Sequence, residues 1–181
     1  IIFMRVIAGI AKGTKLLTPT GKDTRPTLDR VRTALFDILS KQIENAKFLD
    51  CFAGTGANGI EAISRGAQCA YFVEYSKRVI HYIEVNLKKT HFIDKGIIIK
   101  AELPQEVTLL PIGMDIVFMD PPYEFTKWEI LLARMQKHGV FSSNTLLIIE
   151  HSKFNPPSTQ FPPLEKYREE KYGDTFLSFY S

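Results

Sequence analysis

Residues 47–66, KFLDCFAGTGANGIEAISRG, join a short apolar run, a glycine-rich turn and a helical pattern without a break. The apolar run KFLDCF is typical of a buried strand, and Gly66 is suited to end the helix that follows. In the turn, Gly54, Gly56 and Gly59 allow backbone amides to approach a ligand closely. The stretch therefore predicts a strand, a turn that can bind a ligand, and a helix.

The same alternation of strand and helix patterns continues to residue 150. The later runs CAYFVE, GIIIKA, MDIVFMD and TLLIIE are apolar and are separated by helical patterns, which indicates parallel strands covered on both faces. Two final runs, EKYREEKYG and DTFLSFYS, meet at Gly173 and Asp174 and predict a terminal hairpin. We therefore expect an α/β fold with a doubly wound, mostly parallel seven-stranded sheet and a C-terminal antiparallel hairpin.

The pattern before residue 46 is different. MRVIAGIAKGTKLL predicts two short strands around glycines, and RPTLDRVRTALFDILSKQ has apolar residues in helical register. Residues 1–45 carry eight basic and four acidic side chains, a net charge of +4, whereas the rest of the chain has a net charge of −1. We expect a small N-terminal β-hairpin plus helix in residues 1–45 that contacts a polyanion, and the α/β domain in residues 46–181.

The composition argues against several classes of protein. With 45% apolar and 24% charged residues, the chain is typical of a globular domain with a proper core. No apolar run approaches the roughly 20 residues of a membrane span, and the start IIFMRVIAG lacks a signal-peptide pattern. Met4 is the expected natural start.

Cys51 and Cys69 fit no metal-ligand or redox spacing, and the histidines are scattered. We expect a cytoplasmic protein without a metal site or a membrane partner.

Three acidic residues follow or end predicted strands. Asp50 lies four residues before Gly54, where a carboxylate would repel a pyrophosphate but would suit a cationic ligand. Glu74 ends the second strand of the α/β domain, at a position from which a carboxylate can accept hydrogen bonds from both hydroxyls of a ribose. Glu102 follows the third strand and could accept a hydrogen bond from an adenine amine. The alternatives are a plain tight turn after Asp50, a solvated strand-end carboxylate at Glu74 and an exposed acid at a helix start at Glu102, and only the last is as good as the binding role.

The stretch DIVFMDPPYEF, residues 115–125, ends another predicted strand on a carboxylate. Asp120 lies at the same edge of the sheet as Asp50, and Pro121 and Pro122 fix the loop that follows. Tyr123 then presents a ring that can stack on a base, a contact worth roughly 1–3 kcal/mol. A simple strand end needs neither the acid nor the ring. The motif therefore favours a rigid binding site for a planar base that carries an amine.

Several functions remain compatible with these residues. The three glycines also fit a dinucleotide site, so a nucleotide-binding oxidoreductase is one alternative, although Asp50 and the lack of a nicotinamide-partner motif argue against it. An amino methylase acting on N6 of adenine in DNA or RNA is another, because DPPY does not choose the base. An RNA-binding protein without activity is a third, which the intact DPPY disfavours.

Five segments appear in an order known from one family: MRVIAG, RPTLDRVRTALFDIL, LDCFAGTGANGIEAISRGA, VFMDPPY and YGDTFLSFY. Over nearly its whole length the sequence resembles the bacterial small-subunit (16S) rRNA guanine-N2 methyltransferases of the RsmD type. These belong to the Rossmann-like enzymes that use S-adenosylmethionine. RPTLDRVRTALF is the segment that best distinguishes this family from DNA methylases, because those enzymes share only the glycine loop and DPPY.

The resemblance implies methyl transfer from S-adenosylmethionine to the N2 amine of a guanine, with S-adenosylhomocysteine as product and no metal. Its implied partner is 16S rRNA or a small-subunit assembly particle, and the protein is expected to be a monomer. Residues 46–181 would be the Rossmann-like methyltransferase domain. The implied catalytic residues, which would hold the target amine and stack on its base, are Asp120, Pro121, Pro122 and Tyr123.

The resemblance also assigns two sets of binding residues. Asp50 would face the ammonium group of the cofactor, Glu74 its ribose and Glu102 its adenine. The whole implied cofactor set is Asp50, Phe52, Ala53, Gly54, Thr55, Gly56, Glu74 and Glu102. The residues implied to contact RNA phosphates are Arg5, Lys12, Lys15, Arg25, Arg30 and Arg32.

Overall fold

The structure, a computed structural model, describes residues 4–19 and 26–181, without the side chains of residues 26–28. Four helices lie in this part of the chain: α1 (Pro26–Ile38), α2 (Ala57–Ser64), α3 (Lys77–Thr90) and α4 (Trp128–His138). Its strands are β1 (Lys47–Cys51), β2 (Cys69–Glu74), β3 (Gly96–Lys100), β4 (Met114–Met119), β5 (Phe141–Ser152), β6 (Gln160–Phe161), β7 (Leu164–Tyr172) and β8 (Thr175–Tyr180). None of the helices in the described part is long and apolar enough to span a membrane.

The strands form one sheet in the order β3-β2-β1-β4-β5-β8-β7-β6. Pairing is parallel from β3 to β5 and antiparallel between β5, β8, β7 and β6. This confirms the predicted doubly wound sheet with a terminal hairpin. An eighth strand, β6, was not predicted. Its two residues lie between TLLIIE and the two final runs, and they pair with Leu164 and Glu165.

The strand order reverses between β1 and β4, because the chain moves outward to β2 and β3 before it returns to β4. Helices cover both faces of the sheet. Alternate residues of β1 show the two layers: Phe48 packs with α1, α2 and α3, whereas Leu49 packs with α4. In such a sheet a crevice opens beyond the carboxyl ends of the strands at the point of reversal, and ligands bind there.

Gly59, the third glycine of the turn, serves packing. A Cβ built on Gly59 would lie 2.3 Å from the Cε1 atom of Phe72, which is fully buried in β2. A close approach of helix α2 to the sheet therefore requires glycine at this position.

The N-terminal hairpin is smaller than predicted. Only one antiparallel bridge, between Arg5 and Lys15, forms in residues 4–19. The intervening chain turns instead toward α2, where the Glu61 carboxylate accepts hydrogen bonds from the amides of Ile7 and Ala8 at 2.7 and 3.0 Å. Backbone donors that a longer hairpin would have paired are thus satisfied by a helix side chain.

The N-terminal residues share the core of the rest of the protein. Val6 and Leu16 lie in the same buried cluster as Phe48 of β1, and so does Leu35 of α1. The described residues up to 45 therefore pack as an extension on the α/β body, and a functional boundary at residue 45 stays a prediction.

Candidate active site

The strand ends at the reversal point place four residues in one row. Parallel pairing aligns Cys51 of β1 with Val73 of β2 and with Met119 of β4, and it aligns Met119 with Ile149 of β5. One residue further along each strand, the row is Glu74, Phe52, Asp120 and Glu150. The carboxyl edge of the sheet thus carries three acids within four adjacent strands.

These acids point to one face of the sheet. Because side chains alternate along a strand, Glu74, Asp120 and Glu150 share the face of Phe72, Phe118 and Ile148, which pack against the helical layer of α1, α2 and α3. Asp50 lies on the same face, two residues before Phe52 in the β1 segment. Four carboxyl groups therefore converge beside the glycine loop, namely Asp50, Glu74, Asp120 and Glu150.

The glycine loop is held by two of these acids. The amide of Gly59 donates to Asp50 Oδ2 at 3.0 Å, and the amide of Gly54 donates to Glu74 Oε2 at 3.2 Å. Gly54 and Gly56 have φ angles of 55° and 79°, which L side chains rarely adopt. Glycine at these two positions thus lets the chain turn sharply from β1 into α2.

A cavity of about 250 Å³ lies against this loop. One wall is formed by Phe52, Ala53, Gly54 and Thr55, together with Asp120 and Glu150. The opposite wall comes from the N-terminal extension and contains Met4, Pro19, Val31, Arg32 and Leu35. The basic extension and the carboxyl edge of the sheet therefore enclose one site.

The loop after β4 is rigid and aromatic. Pro122 O accepts a hydrogen bond from the Phe125 amide at 2.9 Å, which closes a turn. The Phe125 ring packs edge-on against Trp128 at 4.9 Å and against Phe52 of the glycine loop at 5.3 Å. The side-chain amide of Asn155 donates to Phe125 O. Tyr123 is left 78% exposed at the mouth of a second, smaller cavity.

The predicted cofactor residues fall into three groups. Phe52, Ala53, Gly54 and Thr55 line the larger cavity. Asp50, Gly56 and Glu74 are buried directly behind this wall, and Asp50 is only 1% exposed. Glu102 is exposed and contributes to neither cavity wall.

All four predicted catalytic residues line the smaller cavity. Asp120 lines the larger cavity as well. The structure therefore brings the DPPY motif and the glycine loop to one place, as the order of motifs predicted. Within the described residues, no group of His, Cys, Asp and Glu side chains could hold a metal ion.

The prediction of an RNA contact is wrong for Arg32. Its side chain is 6% exposed, and Nη2 donates to Arg5 O at 2.8 Å and to Asp29 Oδ1 at 2.9 Å. A guanidinium buried in this way cannot reach a phosphate. Arg5, Lys12, Lys15 and Arg30 are exposed, and Arg25 lies outside the described residues.

Comparison with known proteins identifies the family of this chain. A family model described as Conserved hypothetical protein 95 matches residues 4–181. Ribosomal RNA small subunit methyltransferase D of Escherichia coli (strain K12) is 31% identical over 177 residues, which cover 98% of this chain and 89% of that protein. The chain belongs to this RsmD-type family.

Solved structures agree with this membership of the RsmD-type family. The structure of yhhF from Escherichia coli matches with a TM-score of 0.87 and 30% sequence identity, covering 98% of this chain and 97% of that chain. SMU.776, complexed with SAH, matches with a TM-score of 0.67 and 15% identity, covering 83% of this chain and 48% of that chain. At this lower identity the likeness concerns the fold alone.

Glu150 is the residue of this RsmD-type site that sequence reasoning missed. Glu150 ends the predicted strand TLLIIE. The sequence therefore shows a carboxylate at this strand end, but it does not show which residues lie beside it. Burial raises the pKa of Glu150 well above its ordinary value, and the charge of Asp120 adds to this effect. Glu150 also lies in the walls of both cavities.

Asp50 titrates under the same influences. Burial, together with the negative charges of Asp120 and Glu74, raises its pKa to about 8, although the hydrogen bond from Gly59 acts to lower it. Asp50 is therefore largely neutral at pH 7. A cationic ligand at this edge would favour the ionised form of each carboxyl group and would be attracted in return.

Replacing Asp50 by asparagine should change how the stability of the protein depends on pH. Folded wild type holds the Asp50 proton up to about pH 8, whereas the unfolded chain releases it near 3.8. The stability from this carboxyl group is therefore fully present below the unfolded pKa and is lost as the pH rises through the folded pKa. Relative to Asp50→Asn, wild type should lose about 1.4 kcal/mol per pH unit between those pKa values.

Urea unfolding at unit steps from pH 5 to pH 9 measures this difference. Asparagine retains an oxygen that accepts from Gly59, so the variant should fold. Asp94→Asn, at an exposed position, is the matched control and should run parallel to wild type. A stability difference between Asp50→Asn and wild type that stays constant with pH would contradict the assignment.

Proposed function

We propose that this protein transfers a methyl group from S-adenosylmethionine to the exocyclic N2 amine of a guanine in 16S rRNA. One observation carries the proposal: the carboxyl edge beside the glycine loop gathers four acids, and the DPPY loop adjoins the same cavity. The first feature suits a cationic cofactor, and the second suits an amine on a planar base. Membership of the RsmD-type family supports the rRNA substrate.

The residues of the larger cavity fit the cofactor. The charges that act on Asp50 and Glu150 come from other acids, so a ligand with positive charge would be stabilised there. When bound, S-adenosylmethionine supplies a methyl group on a sulfonium that is already a strong electrophile. Asp50 would balance its ammonium group and Glu74 would bind its ribose. Glu102 lines neither cavity, and its contact with the adenine amine stays a prediction. The backbone of residues 52–56 would lie along the methionine part.

The DPPY loop would perform the chemical step by positioning. Asp120 and a prolyl carbonyl would accept the two hydrogens of the amine, which favours a pyramidal nitrogen whose lone pair faces the methyl group. Pro122 O already accepts from Phe125 and has one lone pair left, so the carbonyl of Pro121 is the one that we assign to the amine. The nitrogen gains a methyl group and must lose one hydrogen as a proton, for which Asp120 is the adjacent base. Tyr123 would stack on the base after it leaves its helix.

The N-terminal extension would provide the contacts to RNA. Arg5, Lys12, Lys15 and Arg30 are exposed on the segment that forms one wall of the cavity, and Arg25 belongs to the same basic stretch. Cations at these positions would neutralise phosphates and set the orientation of the RNA without reading its sequence. The protein would bind 16S rRNA or a small-subunit assembly particle in the cytoplasm, and it would do so as a monomer.

Methyl transfer to 16S rRNA from a strain lacking the enzyme tests the proposal. The purified protein is incubated with labelled S-adenosylmethionine and either naked rRNA or small-subunit particles, and the RNA is then digested to nucleosides for mass spectrometry. N2-methylguanosine is the expected product. N6-methyladenosine would overturn the choice of base and would favour the adenine methylase instead. Stabilisation by NAD and not by S-adenosylhomocysteine in a thermal-shift assay would overturn the cofactor.

A further inference from the structure

We propose that Glu150 determines the choice of base by accepting the N1–H of the target guanine. This inference rests on the proposed methylation of the guanine N2 amine and adds a residue that selects that base. No motif of the sequence assigns Glu150 a role, because it follows an ordinary apolar strand.

Glu150 and Asp120 are neighbours at the carboxyl edge. Met119 pairs with Ile149, so the next residues of β4 and β5 stand side by side, about 4.8 Å apart along the sheet. Both side chains point to the same face, because Phe118 and Ile148 two residues earlier belong to the same buried cluster. Both also line both cavities. Glu150 therefore reaches the space in which Asp120 would hold the amine.

The surroundings of Glu150 suit a donor from a ligand. Glu150 is half-buried, and burial together with the negative charge of Asp120 raises the pKa of its carboxyl group, which favours the neutral form. A ligand that brings an N–H to this position would favour the ionised form and would be bound more tightly in return.

The Watson–Crick edge of guanine meets this requirement. Guanine carries the N1–H donor directly beside its N2 amine, so two adjacent acceptors match it. Adenine has an unprotonated N1 beside its N6 amine, and the lone pair of that nitrogen would face the Glu150 carboxylate. A flipped base is read at this edge by such hydrogen bonds. With Glu150 ionised, the pair of acids therefore accepts guanine and disfavours adenine, whereas a neutral Glu150 would donate to the adenine N1. DPPY alone would serve both amines.

A substrate analogue separates N1–H recognition from catalysis. In the RNA segment where the methylated guanine has been mapped, that guanine is replaced by 2-aminopurine, which keeps the N2 amine but has no hydrogen on N1. Wild type should methylate guanine about tenfold to a hundredfold faster than 2-aminopurine, measured as kcat/KM, because a hydrogen bond to a charged group is lost. Because 2-aminopurine also lacks the O6 oxygen of guanine, the Glu150 variant is needed to assign the lost contact to N1–H.

Glu150→Gln should reduce that preference to a few-fold. The glutamine amide can present its oxygen to N1–H or its NH2 group to the bare N1 of 2-aminopurine, so it serves both bases. Glu165→Gln, at an exposed position outside both cavities, is the matched control and should keep the wild-type ratio. The ratio distinguishes a specificity role from a structural role, because a general loss of folded protein lowers both rates equally.

Three results would overturn the inference. In the first, wild type methylates guanine and 2-aminopurine equally. In the second, Glu150→Gln keeps the full preference for guanine. In the third, Glu150→Gln weakens S-adenosylhomocysteine binding and leaves the ratio unchanged, which would assign Glu150 to the cofactor. If wild type methylates adenine and no guanine, the proposed function fails together with the inference, and the nucleoside analysis identifies that case separately.

Discussion

Replacing Asp120 by alanine should reduce methyl transfer to rRNA about a thousandfold, because it removes the acceptor that holds the amine and takes its proton. Asp120 lies at the switch point of the sheet, in the walls of both cavities. The cofactor contacts proposed for the glycine loop do not depend on it. S-adenosylhomocysteine should therefore bind with a Kd within about fivefold of the wild-type value, since a single charge near a wet cavity contributes about 1 kcal/mol. Initial rates with labelled cofactor and isothermal calorimetry measure the two effects.

Asp120→Asn refines the same prediction. Asparagine keeps an oxygen that can accept one amine hydrogen, but it cannot take a proton, so its rate should fall between wild type and Asp120→Ala. Asp94→Ala, at an exposed position, should leave the rate unchanged. Full activity of Asp120→Ala would exclude the amine-holding role. A loss of S-adenosylhomocysteine binding equal to the loss of rate would instead make Asp120 a cofactor ligand.

Sequence patterns were sufficient to predict the fold and the edge of the sheet at which Asp120 and the glycine loop meet. The continuous apolar runs could only be strands covered on both faces, and the glycines fixed where β1 turns into α2. Because the carboxyl ends of parallel strands meet at one edge, the adjacency of Asp120 to the glycine loop followed from the fold class alone.

Side-chain partners across distant segments could not be predicted. Arg32 lies in α1, where its guanidinium was expected to face RNA, yet it is buried and donates to the backbone of Arg5. The neighbours of Glu150 depend on the pairing of β4 with β5, which no local pattern encodes. Glu61 provides the third case, since its partners lie more than 50 residues earlier in the chain.

Glu61→Ala should destabilise the protein by about 3–5 kcal/mol, the range for removal of one partner of a buried ion pair. Glu61 is fully buried on α2, where its carboxylate accepts from Arg65 Nε at 2.7 Å and from the amides of Ile7 and Ala8. Alanine would leave a guanidinium and two amides without their acceptor. The N-terminal extension would then be held mainly by its apolar contacts. Urea unfolding measures the loss as a lower midpoint.

Two comparisons separate the loss of the hydrogen bonds from Glu61 to the N-terminal extension from a general effect of losing a carboxylate. Glu61→Gln keeps an oxygen for the amides but loses the charge opposite Arg65, so its loss should be intermediate. Glu84→Ala removes an exposed acid of α3 and should change stability by less than about 0.5 kcal/mol. Because Met4 and Pro19 form part of the cavity wall, Glu61→Ala should also weaken S-adenosylhomocysteine binding at temperatures where it is folded. If the unfolding midpoint of Glu61→Ala equals that of wild type, the extension is held by the apolar contacts of Val6 and Leu16, and the hydrogen bonds of Glu61 are dispensable.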